Sequence, residues 1–148
     1  MNIQIIAALA LAALGGAASA LQAPINARLA AFAGGSVAAA AISFGLGVAV
    51  LASITLLRSG LPDGSALAAA PWWAWVGGAF GALYVWSSLA TVGTLGAVTL
   101  VAALILGQLA TALVIDATGA FGMTLREIGW TRIAAVAFVA AGLVLSRL

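Results

Sequence analysis

From residue 64 to residue 115 this chain contains no charged side chain. Residues 1–27 and 29–57 are equally bare. Eight charges in all, Arg28, Arg58, Asp63, Asp116, Arg126, Glu127, Arg132 and Arg147, interrupt the 148 residues. A water-soluble domain devotes about a quarter of its residues to charge, against 5% here. So few charges cannot cover a surface in water, and a mean hydropathy of +1.28 points to lipid as the solvent. A bilayer offers the backbone no water to bond, so the chain must close its hydrogen bonds within helices or around a barrel. The apolar runs here are long, rich in alanine and without the alternation that barrel strands require, and they predict helices.

A helix that crosses the hydrocarbon needs about 20 mostly apolar residues. Five segments qualify: 3–32, 36–57, 72–92, 95–118 and 130–146. Turn chemistry separates them: AGGS after the first, RSGLPDGS and Pro71 after the second, VGTLG after the third, and TGAFGMTLREIG after the fourth. The expected fold is therefore all-α, a single-domain polytopic membrane bundle of five transmembrane helices over residues 1–148. The opening run ends in ASA, as a signal peptide would. It lacks a basic amino-terminal region, however, and is longer than a signal core, so an uncleaved first helix is expected.

The chain has no cysteine and no histidine. That excludes disulfides, thiolate or imidazole metal ligation, and serine or cysteine nucleophiles activated by histidine. No catalytic, metal or cofactor site is expected. The pI of about 10.6 comes from a net charge of only +2 with no basic cluster, so no nucleic-acid partner is expected either.

Helical periodicity sorts the remaining polarity onto faces. Gly15, Ser19, Gln22 and Asn26 share one stripe of the first helix, and Ser36, Ala40, Ser43 and Gly47 one of the second. Gly77, Gly81, Tyr84, Ser88 and Thr91 do the same in the third; Gln108 and Thr111 lie together in the fourth. Small residues along a seam let helices approach closely in lipid. Gln22, Asn26, Tyr84 and Gln108 carry more polar atoms than packing requires. Each needs a partner, which is either a neighbouring helix or a solute in a wet path. Pro24 frees a backbone carbonyl within the first helix and predicts a bend facing a cavity, with Arg28 on the opposite side. Asp116, near the end of the fourth helix, is either a coupling carboxylate or the partner of Arg126 or Arg132, and the ion pair is the favoured reading. Trp72, Trp73, Trp75 and Trp130 open their helices on one side of the membrane and read as an interfacial belt.

Several of these elements occur in a familiar order. Gly15, Gln22, Asn26 and Leu29 are followed by SFGLG (43–47), then PWWAWVGGAFGALYV (71–85) and GQLATALVID (107–116). Together they resemble the YdcZ-like family of five-helix proteins in the drug/metabolite transporter (DMT) superfamily, over essentially the whole chain. The resemblance implies a multi-pass protein of the bacterial inner membrane that exports a small molecule as a half-size subunit. Related small transporters work in pairs, often antiparallel. Two departures matter. The family commonly follows the fourth-helix aspartate with His-Phe-Gly, whereas Asp116 is followed here by Ala-Thr-Gly. The membrane-embedded glutamate of small multidrug relatives has no counterpart, since no acidic residue precedes Asp63.

The expected function is transport by alternating access around a cavity lined by Gln22, Asn26, Ser43, Tyr84 and Gln108, with Asp116 and Arg28 as coupling or ion-pair residues. The expected partners are the bilayer, an unidentified small-molecule substrate and a second subunit. That subunit is a copy of the chain, antiparallel where both orientations insert, or a related protein. The competing reading is a non-transporting membrane subunit or assembly factor whose seams serve only helix packing.

Overall fold

The computed structural model describes residues 3–58 and 60–148. Its regular elements are helices: α1 (Ile3–Ala33), α2 (Ser36–Arg58), the short α3 (Gly64–Ala68), a 3₁₀ turn (Trp72–Val76) running into α4 (Gly77–Leu95), α5 (Ala97–Thr118), a second 3₁₀ turn (Ala120–Gly122) and α6 (Trp130–Leu145). No strand occurs among the described residues. Four spans, Ile3–Ala33, Ser36–Arg58, Trp72–Leu95 and Ala97–Thr118, are long and apolar enough to cross a membrane. The fifth, α6, is apolar but has 16 residues, about 24 Å at 1.5 Å per residue. That is shorter than the ~30 Å hydrocarbon layer. Pro24 sits inside α1 and leaves the helix continuous to Ala33.

The backbone divides into two compact units, Met1–Gly93 and Thr94–Leu148. In the first, α1 packs on α2 across a two-residue connection. Gly34 takes φ +82° there, and the Gly35 amide donates to Ala30 O at 3.0 Å. This is a glycine-closed helix end, which needs a left-handed residue that only glycine adopts without strain. Ala39 and Ala40 of α2 meet Val85 and Leu89 of α4 in a small core flanked by Leu29, Ala30, Ala33 and Tyr84. Alanines at the contact bring the helices close, as lipid-solvated packing demands.

Between α2 and the tryptophans, α3 was not legible as a helix in RSGLPDGS. Asp63 caps it by accepting from the Ser65 amide at 2.9 Å and from Ser65 Oγ at 2.8 Å. Those two bonds, the hydroxyl's first, hold the Asp63 carboxyl below its ordinary value of 3.8. Trp72, Trp73 and Trp75 occupy the 3₁₀ turn, so the third span starts tighter than an α-helix.

In the second unit α5 packs on α6. Gly119 ends α5 at φ +63°, its amide donating to Ile115 O at 2.9 Å. The chain then folds back until the Arg126 amide reaches Asp116 O at 2.8 Å. At the other ends of the two helices Ser146 Oγ donates to Thr99 Oγ1 at 3.1 Å, and Thr99 Oγ1 lies 3.3 Å from Ser146 O.

Candidate functional site

Ser19, Gln22 and Asn26 are three and four residues apart, so α1 presents all three on one face. Each meets a different fate. Ser19 Oγ and Tyr84 OH of α4 share a hydrogen bond at 2.9 Å. Asn26, 5% exposed, donates from Nδ2 to Ser43 Oγ of α2 at 3.0 Å. Interhelical bonds of this kind average about 0.6 kcal/mol in membranes and reach about 1.7, so these two position the helices more than they stabilise them. Gln22 lies between them and makes neither bond. Its amide finds no partner among the described residues and opens into a groove of about 350 Å³ lined also by Ser43, Phe44, Gly47, Gly81 and Tyr84.

The groove is chemically asymmetric. The Gln22 amide offers two donors and an acceptor. Ser43 Oγ already accepts from Asn26, which leaves its O–H to donate. Around this polar cluster stand Val48, Leu51 and the ring of Phe44, and no lining residue is charged. A cavity of this size, mostly apolar with a few converging polar groups, has the character of a small-molecule site.

Gln108 and Asp116 belong to the second unit. Gln108 stands on an exposed face of α5. Asp116 Oδ2 accepts from Arg132 Nη1, the one salt bridge among the described residues. Both side chains are about one-third exposed, 29% and 36%, and an ion pair so open contributes at most about 1 kcal/mol. A cavity of about 170 Å³ lies beside it, against Leu109, Leu113, Ala135 and Val136. Arg28 lines neither cavity; its guanidinium lies 5.1 Å from the centre of the Phe32 ring, one helical turn on.

Two features of the site escaped the sequence. Gly47 reads from its spacing as a packing residue and Phe44 carries no site signal of its own, yet both line the groove. The four-residue spacing of Gly47 from Ser43 places the two on one face of α2; nothing in the sequence singles out Phe44. Helical period puts Ser19 on the right stripe, but nothing local to it indicates Tyr84, 65 residues away.

The family model described as "Putative inner membrane exporter, YdcZ" matches residues 7–145. The chain belongs to the YdcZ family. It is a multi-pass protein of the inner membrane, and the family it belongs to is described as one of exporters. No curated protein and no solved structure matches it. Within the YdcZ family match fall all the groove residues and the Asp116–Arg132 pair.

Proposed function

We propose that the chain is a half-size exporter subunit, that two subunits work together by alternating access, and that the groove between α1, α2 and α4 holds a polar or zwitterionic solute without a counter-charge. One observation carries this reading. The Gln22 amide is open to the groove while its two neighbours on the same face are satisfied by other helices. A group serving only packing would be bonded as they are, because an unpaired amide in hydrocarbon costs several kcal/mol.

The rival reading, a non-transporting subunit, draws on the neighbours themselves. The Ser19–Tyr84 and Asn26–Ser43 bonds are what helix association alone would produce. The two readings part at Gln22→Leu. Neutral and zwitterionic metabolites are screened by thermal shift in detergent, where a solute at about 100 times its Kd stabilises by about 2.7 kcal/mol. The variant is expected to unfold as the wild type does, within about 0.5 kcal/mol, and to lose both the ligand-induced shift and counterflow of the same solute in liposomes. An unchanged shift in Gln22→Leu removes the groove from the mechanism. A protein that no solute stabilises, but that itself stabilises a co-purifying membrane partner, is the rival's signature.

A further inference from the structure

Phe44 lines two clefts. One is the groove of Gln22 and Ser43. The other, of about 450 Å³, lies between α2 and α4 toward the amino-terminal end of α2 from Phe44, against Val37, Ala41, Leu83 and Trp86. Its walls are hydrocarbon and one indole. Along α2 the two clefts run from Val37 to Leu51, about 21 Å at 1.5 Å per residue. That is two-thirds of a ~30 Å hydrocarbon layer. Phe44 stands at the midpoint, seven residues from either end. Its ring crosses α4 at Gly81, where a Cβ would lie 3.5 Å away.

The two halves differ in what they can hold. Below the ring are the Gln22 amide and the Ser43 hydroxyl, uncharged and free to bond, beside a Tyr84 hydroxyl already bonded to Ser19; above it the one polar side-chain group is the Trp86 indole N–H. A charged group in either half would lack a counter-charge, and an unpaired ion in a low-dielectric site is strongly disfavoured. A wholly polar solute would leave the upper half unused. Resting on the exporter reading above and narrowing its polar or zwitterionic solute, we propose that the clefts form one site for an uncharged amphiphile. Its amide- or hydroxyl-bearing head bonds Gln22 and Ser43, and its hydrocarbon part passes Phe44 to lie against Leu83 and Trp86.

Trp86 provides the readout. The full chain in lipid nanodiscs is titrated with 8-bromooctanamide, whose bromine quenches indole fluorescence on contact. Unlabelled butanamide, octanamide, octanoate and octylammonium serve as competitors. The expected result is a saturable quenching component absent from Trp86→Phe. Octanamide should displace it at least ten-fold better than butanamide, octanoate or octylammonium. Gln22→Leu and Gly47→Leu should each weaken it at least ten-fold. Gly47→Leu is the independent variant: a Cβ at Gly47 meets nothing within 4 Å, so the new side chain enters the groove and not a neighbouring helix. Quenching that rises linearly and is indifferent to both variants would mean that the upper cleft holds lipid chains only, and overturns the proposal. If butanamide competes through Gln22 as well as octanamide does, the polar site stands and the amphiphile falls. If no carboxamide acts through Gln22 at any length, the proposal and the exporter groove fall together.

Discussion

Gln22 and Asn26 are four residues apart on one face of α1, and both end in a primary amide, yet they do different work. Asn26 faces Ser43 at the height where α2 approaches α1, and is buried by that approach. Gln22, one turn nearer the amino terminus, meets the widening between α2 and α4. Asn26→Leu is therefore expected to cost stability, about 0.6–2 kcal/mol for the lost interhelical bond, seen as a lower unfolding midpoint in detergent. Ser43→Ala should cost about the same and add little to it in the double variant, since both remove one bond. An Asn26→Leu protein with unchanged stability and abolished solute binding would instead make Asn26 a ligand contact.

The α5–α6 hairpin is held at both ends by polar ties, and Gly119 governs one of them. Its φ of +63° strains any other residue, and a Cβ there would lie 3.1 Å from Met123 O. Gly119→Ala is expected to destabilise the second unit by about 1–2 kcal/mol from the left-handed backbone alone. It should also loosen the turn that brings Arg126 back to Asp116, read as faster amide exchange at Arg126. Exchange at Arg126 unchanged from wild type would show the turn to be independent of Gly119. A different end, α3, responds to acid. The Asp63 carboxylate is stabilised by Ser65, so its folded pKa is lowered. The cap contributes fully above the unfolded value near 3.8 and is lost as pH falls through the lower folded value. The Ser65 amide resonance should hold constant from pH 7 to about 5 and move only in stronger acid. A shift near pH 6 would contradict the cap.

For the whole molecule, the arginines weigh orientation almost evenly. With five spans, Arg58, Arg126 and Arg132 lie on the amino-terminal side and Arg28 and Arg147 on the other, and the rule that places basic residues in the cytoplasm acts on that difference. Three against two is a small bias, and we propose that the chain inserts in both orientations, which would allow the antiparallel pairing expected from the sequence. The chain has no native cysteine, so Ala66→Cys, in the exposed α3, gives one unique label site. Labelling by an impermeant maleimide is expected from both sides of the membrane. Labelling from one side alone ends the dual-orientation idea. The three-against-two count holds with α6 crossing, and at 16 residues it crosses only where the bilayer thins or Trp130 and Arg147 anchor at the two surfaces.

The amino-acid order alone determined the solvent, the five apolar helices and their boundaries to within two residues at most ends, though not α3. The reason is local. In lipid every backbone group must bond inside its own helix, so a long uncharged run leaves one conformation, and Gly34, Gly96 and Gly119 mark where it stops. The seams were legible for the same reason, since helical period puts Ser19, Gln22 and Asn26 on one face whatever lies opposite. What lies opposite was decided by tertiary packing. Helices in lipid gain little from hydrophobicity when they meet, so close fit between small residues sets which faces join and at what height. That fit gave Asn26 a serine and Ser19 a tyrosine. It gave Gln22 an open groove with Phe44 at its end.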